Sequence, residues 1–270
     1  MRNPRDRTIS LFNQVAIEVK LFWRSRQAVY LTFLVPMLGM ALLVYLGKEG
    51  MLERFFDLVM RGLGGGKATL MGTSPMAFLT VGLIAYTIID VAFESLVPAV
   101  VKQRDLGVLK RLGGTPLRGW VFLAAKTLNV SMLVLAEVAL IFAMGLVSSE
   151  IMVAGNWLLL GGILLLGIST FTSMGFVLGS FIASADAAVA AVHAIYIPMI
   201  LLCGAFVPVQ ALPKALQVVA KALPLTYFVA PFRSVMVEGT GLAANSGDLL
   251  ILLAWMIAGW SVAIKTFRWE

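Results

Sequence analysis

The sequence predicts an all-α integral membrane protein with six transmembrane helices, and three observations point to that fold class. Hydrophobic residues make up 60% of the 270 residues and charged residues only 13%, about half the charged share of a soluble domain. The apolar residues lie in blocks long enough to cross a bilayer. The Lys and Arg residues are concentrated between alternate blocks, which is typical of multi-pass membrane proteins.

Six stretches qualify as spans, because a helix needs about 20 apolar residues to cross about 30 Å of hydrocarbon. The fourth and fifth stretches are joined by a tight turn, where Asp186 is expected to cap the fifth helix. All six belong to a single transmembrane domain that covers residues 1–270. The expected spans are residues 28–47, 75–98, 119–147, 157–183, 187–208 and 248–265.

The distribution of Lys and Arg predicts the orientation of these spans. Six of these residues precede the first span, five lie in residues 99–118 and two lie in the C-terminal tail from residue 265, whereas the loops on the other side carry seven over greater lengths. Both termini and residues 99–118 are therefore expected in the cytoplasm, in a protein of the cell (inner or plasma) membrane. The net charge of +7 reflects this placement, so membrane lipids are expected as partners and nucleic acid is not.

Residues 8–27 are expected to form an amphipathic helix that lies in the cytoplasmic interface of the membrane. Apolar side chains recur there at helical spacing, with Glu18, Lys20 and Arg24 between them. The alternative is a leader that only sets the topology. The apolar residues are Ile9, Phe12, Val15, Ala16, Val19, Phe22 and Trp23.

Two segments are expected on the opposite side of the membrane. Residues 48–74 are expected to be a flexible linker. Its Gly64–Lys67 stretch does not fit a phosphate-binding loop, which has Gly and Ser or Thr where this chain has Arg61 and Ala68. Residues 205–240 carry four prolines that bracket a short amphipathic helix, KALQVVAKAL. This segment is expected to dip into the interface and fold back, either as a gate or as a plain cap.

The cytoplasmic segment 99–118 contains the sequence RDLGVLKRLGGTP at residues 104–116. Asp105 or a neighbour is expected to cap a short helix, which Gly113–Gly114 would end. A rigid two-faced helix joined to two membrane helices can be gripped by a soluble partner, whereas a basic loop would only fix the topology. The apolar face of the helix would consist of Leu106, Leu109 and Leu112.

In this segment the chain resembles the membrane subunits of ABC transporters of the type-2 export class, whose first cytoplasmic loop has a pattern close to R-E-x-G-T-L-x-R-L-x-x-T-P-L. The chain departs from it at Asp105, where Glu is usual, and at Val108, where Thr is usual. The six-span layout, the N-terminal helix and the late stretch with PLTY at 224–227 and Arg233 also resemble that family, so the likeness covers nearly the whole chain.

The resemblance implies a permease subunit that is not itself an enzyme and has no catalytic residues. It implies two copies of a cytoplasmic ABC ATPase subunit and a second permease copy, as a homodimer, for partners. ATP and magnesium would sit on the ATPase, with no cofactor or metal on this chain. The implied coupling helix consists of Arg104, Asp105, Gly107, Leu109, Lys110, Arg111, Leu112, Thr115 and Pro116.

Ionisable side chains inside the spans are costly, so each needs a partner or a function. Lys126 is expected to snorkel or to pair with Glu94, and His193 is expected to be a hydrogen-bonded core residue rather than a proton carrier. The group either fixes the helix bundle or lines a polar path for cargo or protons. It consists of Asp90, Glu94, Lys126, Glu137 and His193.

Two further questions stay open at the level of sequence. The row of small residues at Gly175 and Gly179 favours close helix packing, either within the chain or between subunits. The function is expected to be outward transport of drug-like, lipid-like or glycan cargo along the permease dimer interface. A proton-coupled secondary transporter that uses Glu137 and His193 is the alternative, although the chain lacks the internal repeat typical of that class.

Overall fold

The computed structural model describes residues 4–62, 74–115, 117–148 and 152–267, which form twelve α-helices, one π-helix and one short 3₁₀ helix. The π-helix is Asp90–Ser95 and the 3₁₀ helix is Val209–Ala211. In chain order the α-helices are α1 Pro4–Arg24, α2 Arg26–Lys48, α3 Met51–Gly62, α4 Pro75–Ile89, α5 Leu96–Asp105, α6 Val108–Gly113, α7 Gly119–Val147, α8 Trp157–Phe181, α9 Ala185–Leu202, α10 Lys214–Ala222, α11 Thr226–Glu238 and α12 Ser246–Thr266.

Five helices of the described chain are long and apolar enough to cross a membrane, which confirms an all-helical membrane fold. They are the continuous Pro75–Asp105 unit, α7, α8, α9 and α12, and they coincide closely with five of the expected spans. Two further pairs pass the same test only as bent units, α2 with α3 at 93° and α10 with α11 at 91°. The described part of the chain therefore has five to seven candidate spans, and the count of six stays a prediction.

The Pro75–Asp105 unit is the centre of the bundle, because 89% of its most apolar window is buried by other helices. The helices α2, α7, α8, α9 and α11 pack around it, and α12 lies along α8. Phe93 of the π-helix meets Phe171 of α8 edge to face, with ring centroids 6.4 Å apart. Polar contacts between spans are sparse in the described chain, one being the Trp260 Nε1 bond to Ser169 Oγ at 3.0 Å.

The small residues of α8 pack inside the chain. A Cβ atom at Gly175 would overlap the Ala92 carbonyl oxygen of the π-helix, and one at Gly179 would lie 3.8 Å from Val97 Cγ1. Both glycines are buried or nearly so against the central unit. Close approach of two helix backbones within one subunit therefore accounts for this row.

The N-terminal segment is helical, as expected, but its two sides are used differently from what the sequence indicates. The polar Gln14 and Glu18 are buried, 7% and 5% exposed, and α1 packs along α7. The apolar Phe12 and Trp23 are 75% and 59% exposed. An exposed apolar side suits a helix at a lipid interface, but the contact with the bundle includes the polar Gln14 and Glu18 as well as the apolar Phe22.

The segment expected to be a flexible linker is half helix. Met51–Gly62 forms α3, and its Phe56 is 4% exposed and packs on Phe78 of α4 with ring centroids 5.7 Å apart. The linker prediction was wrong there because Phe56 has an apolar partner that the local sequence does not reveal. The Gly64–Lys67 stretch lies outside the described residues.

The proline-rich segment folds as two helices that meet nearly at a right angle. The expected short helix is α10, and α11 follows it after a sharp bend of 91°. Thr226 Oγ1 donates a hydrogen bond to the Ala220 carbonyl oxygen at 2.6 Å, and Tyr227 Oη donates one to the Lys221 carbonyl oxygen at 2.5 Å. These bonds occupy carbonyls at the end of α10, which fixes the bend.

Candidate functional site

The segment expected to couple to a partner begins with a sharp change of backbone direction. The central unit ends at Asp105, Gly107 adopts a left-handed conformation with φ 66°, and α6 covers only Val108–Gly113. Gly107 is thus the residue before the helix, and no side chain caps α6. The expected stop is confirmed, since Thr115 Oγ1 and the Thr115 amide both donate to the Leu112 carbonyl oxygen, at 2.6 and 3.0 Å. Pro116 lies outside the described residues.

Asp105 caps a helix other than the expected one. Its Oδ2 accepts a hydrogen bond from the Ala185 amide at 3.0 Å, at the first residue of α9. The side-chain cap expected from Asp186 is supplied by Ser184, whose Oγ accepts from the Ala187 amide at 3.3 Å. Asp186 lies in the first turn, where its charge suits the helix dipole. The tertiary fold thus joins the end of α5 to the start of α9.

Arg104 closes the neighbouring helix end. Its guanidinium donates to the Gly179 carbonyl oxygen at 3.3 Å and also to the Ile182 carbonyl oxygen. Both acceptors lie at the C-terminal end of α8, where backbone carbonyls have no helical partner. Arg104 and Asp105 together therefore tie the α5–α6 junction to the ends of two other spans.

The three leucines of the coupling segment do not share one face. Leu109 is 1% exposed, Leu106 is 60% exposed and Leu112 is half-buried. The break at Gly107 changes the helical register, so a spacing of three no longer puts Leu106 beside Leu109. Leu109 lines a cavity of about 440 Å³ between α5, α8 and the end of α12. It anchors α6, while Lys110 and Arg111 lie on the exposed surface.

Lys126 does not pair with Glu94. Its Nζ lies 2.6 Å from Glu18 Oε2 of α1, and the two side chains are 6% and 5% exposed. Gln14 Nε2 donates to the other carboxylate oxygen, Oε1, at 3.3 Å. The expected pairing was wrong because α1 packs its polar residues Gln14 and Glu18 against α7, so that Lys126 meets Glu18 of α1 instead of Glu94 of the π-helix.

The carboxyl groups of the second span lie on the π-helix, a local widening that often marks functional positions. Asp90 Oδ1 accepts a hydrogen bond from Tyr86 Oη at 3.2 Å, and Glu94 Oε1 lies 3.4 Å from His193 Nε2. The Glu94 and His193 side chains are each 37% exposed. His193 Nδ1 also lies 2.7 Å from the Val189 carbonyl oxygen. His193 is hydrogen-bonded, as expected, but its side chain is partly exposed rather than buried in the core.

Glu137 of α7 has the most unusual environment of the five intramembrane groups. It is 0% exposed, and neither carboxylate oxygen has a hydrogen-bond partner among the described residues. A buried polar group without a partner is costly. The structure therefore separates it from Asp90, Glu94, Lys126 and His193, each of which has a polar contact.

Reasoning from the sequence missed three polar residues that contact the intramembrane charged groups directly or through one another. Gln14 and Glu18, four residues apart, are on one side of α1, so their common face was a usable signal. Tyr86 lies one helical turn before Asp90, which was also readable. No described group of three His, Cys, Asp or Glu side chains is arranged to hold a metal ion.

Comparison with known proteins agrees with this architecture. The sequence profile of the ABC-2 type transporter family matches residues 12–237. The chain is 23% identical over 179 residues to a Bacillus subtilis (strain 168) protein named "Putative transport permease YvfS", which covers 65% of this chain and 71% of that protein. The matched region includes the central unit, the coupling segment and nearly all of the bent pair α10–α11. The chain therefore belongs to the ABC-2 type transporter family, as a transport permease subunit of the membrane.

Proposed function

We propose that this permease subunit works in an ATP-driven exporter and that a separate ABC ATPase subunit docks on α6. The observation that carries the proposal is the fixed junction at residues 104–109. Arg104 binds the end of α8, Asp105 binds the start of α9, and the buried Leu109 holds α6 against the bundle. A basic loop that only set the topology would need none of these contacts.

The junction supplies a direct mechanical route into the bundle. The helix before it is continuous from Pro75 to Asp105, and its π-helix carries Asp90 and Glu94. A displacement of α6 by the ATPase would therefore move α5 and, through Arg104 and Asp105, the ends of α8 and α9. If ATP binding changes the affinity of the transport path for cargo, then by linkage cargo binding changes the affinity of the ATPase for ATP by the same factor.

The proposed path for cargo runs along the face that carries Asp90, Glu94 and His193. Glu94 and His193 join the central unit to α9 and keep about a third of their surface exposed. This face would meet a second copy of the chain, so that two permeases and two ATPases form the working unit, with both termini in the cytoplasm. The proposed cargo is drug-like, lipid-like or glycan and moves outward.

The experiment that tests this proposal is purification of the chain with the ATPase subunit of its own operon. Arg111 is the best position to change, because its side chain is exposed and holds no other element. We expect Arg111→Glu to weaken ATPase retention by about tenfold or more, as a like-charge contact does at an interface. Lys214→Glu, an equally exposed charge on α10, is the matched control and should leave retention unchanged.

Two results would overturn the proposal. One is equal ATPase retention by the Arg111→Glu and Lys214→Glu variants. The other is transport that continues without an ATPase and stops when an uncoupler collapses the proton gradient, which would favour the secondary transporter that uses Glu137 and His193. ATP hydrolysis and transport that both persist with the uncoupler support the ATP-driven exporter.

A further inference from the structure

A cavity of about 560 Å³ lies at the end of the bundle opposite α6. It is enclosed by the bent pair α10–α11, the end of α9 and the starts of α4 and α12. Its volume is within the usual range for small-molecule sites. Four of its lining residues are charged: Lys221, Arg233, Glu238 and Asp248.

Arg233 is held in place at this cavity before any ligand arrives. Its Nη2 donates to the Gly204 carbonyl oxygen at 2.8 Å, and its guanidinium lies 3.7 Å from the ring centroid of Phe78. Its Nε is buried and has no hydrogen-bond partner among the described residues. A guanidinium that is fixed by Gly204 and Phe78 at the wall of a cavity is suited to a planar or tetrahedral anion, because its fork of N–H groups matches carboxylate and phosphate oxygens.

The charges around the cavity interact only at a distance longer than an ion pair, and Arg233 with Glu238 is one such pair. Within the described chain, neither Arg233 nor Lys221 forms an ion pair with a carboxylate, and Asp248 forms none with a cation. Glu238 accepts a hydrogen bond from Ser234 Oγ at 3.2 Å and remains exposed. The cavity therefore presents two cations and two carboxylates without a close ion pair between them in the described residues, an arrangement that complements a ligand with both signs of charge.

The position of the cavity restricts the class of ligand further. Asp248 lies in the first turn of α12 and Cys203 follows the last residue of α9, so the cavity is level with the ends of two spans. That depth is where lipid headgroups meet a membrane protein. We propose that the cavity binds a zwitterionic phosphate ester of the phosphoethanolamine kind, with its phosphate on Arg233 and Lys221 and its ammonium on Asp248 and Glu238.

This inference goes beyond the proposed function, and its test needs no ATPase and no transport. The full chain, purified in detergent, is mixed with equal amounts of phosphatidylethanolamine, phosphatidylcholine and phosphatidylglycerol of identical acyl chains. Native mass spectrometry then reports which lipid is retained. We expect preferential retention of phosphatidylethanolamine, because its primary ammonium can donate hydrogen bonds to carboxylates, whereas a choline group cannot and a glycerol group carries no charge.

Three variants assign this preference to the cavity. Arg233→Gln and Asp248→Asn are each expected to lower phosphatidylethanolamine retention by about tenfold, the effect of losing a hydrogen bond to a charged group. Asp248→Asn should also shift the preference toward phosphatidylglycerol, which has the phosphate but no ammonium. Lys214→Gln removes an exposed charge outside the cavity and should change nothing. Arg233→Gln also removes the hydrogen bond to Gly204 and could affect folding. Asp248→Asn breaks no described side-chain hydrogen bond, so it tests binding independently of folding.

Soluble phosphoethanolamine distinguishes the two sources of this headgroup. Lipid retention that the soluble compound does not reverse assigns the cavity to a membrane lipid. Binding of the soluble compound without lipid retention assigns it to a soluble ester. Equal retention of the three lipids with no binding of the soluble compound overturns the proposal, as does an effect of Lys214→Gln equal to that of Asp248→Asn.

Discussion

Lys126 Nζ of α7 lies 2.6 Å from Glu18 Oε2 of α1, and both side chains are almost completely buried. This ion pair, with Gln14 as a further donor, joins the N-terminal helix to the third expected span. The helix is therefore attached to the bundle through a specific polar contact, in addition to the apolar contact that Phe22 makes with the core. Movement of α1 along the membrane surface would have to break this pair or carry α7 with it.

Replacing one partner of this pair should destabilise the fold far more than replacing both. We expect Lys126→Met or Glu18→Leu alone to lower the free energy of unfolding by about 3–5 kcal/mol, because each leaves a buried charge without a partner. The double variant Glu18→Leu, Lys126→Met should recover most of that loss, since two apolar side chains can fill the same space. Unfolding in a titration with sodium dodecyl sulfate measures all three, and equal losses in the single and double variants would contradict the pair.

Gly107 should be sensitive to substitution for a backbone reason alone. Nothing lies within 4 Å of a Cβ atom placed there, but its φ is 66°. We expect Gly107→Ala to cost about 1–2 kcal/mol of unfolding free energy, and Gly107→Asn to cost less, because Asn tolerates this conformation. The control is Gly162→Ala in the α8 helix, also without neighbours, which should be neutral or slightly stabilising. A Gly107→Ala variant as stable as Gly162→Ala would show that the turn at Gly107 is not left-handed.

Two glycines of the same row in α8 should respond in opposite ways to the same change. Gly175→Ala places a methyl group on the Ala92 carbonyl oxygen, a backbone atom that cannot turn aside. Overpacking of this kind costs about 1–3 kcal/mol. Gly179→Ala puts its methyl group at ordinary contact distance, 3.8 Å from Val97 Cγ1 and 3.9 Å from Val101 Cγ2, and should be tolerated. Thermal melting in detergent compares the two, and loss of dimer without loss of monomer stability would instead place the row between subunits.

Glu137 should lower the stability of the fold, since its buried carboxyl group has no described partner. Because neither of its oxygens has a described partner, we expect the apolar replacement Glu137→Met to raise the unfolding free energy by about 1 kcal/mol or more. Glu137→Gln keeps a polar group in the same place and should gain less. The exposed Glu53→Gln on α3 should have no effect. If Glu137 acts in transport, the same Glu137→Gln variant should assemble normally and transport poorly. Normal transport by a more stable variant would restrict Glu137 to a structural role, and a less stable variant would mean that the carboxyl group has a partner.

The spans and the helix ends were determined by the sequence itself. An apolar block of about 20 residues in a bilayer is expected to be a helix, because a helix satisfies all its backbone hydrogen bonds within one segment. For this reason residues 119–147 were expected and observed as one helix. Gly113 and Gly114 likewise end α6 wherever it lies in the fold. These features depend on neighbours in the chain, which the sequence contains.

The tertiary structure alone decided which polar groups meet. The sequence offers Lys126 carboxylates on two different helices, and only the packing of α1 on α7 selects Glu18 over Glu94. Asp105 caps α9 rather than α6 for the same reason, since the start of α9 is brought beside the end of α5. A long-range hydrogen bond requires an orientation that local propensity does not encode. The sequence therefore predicted the helices and the charges, and the packing of the helices determined their partners.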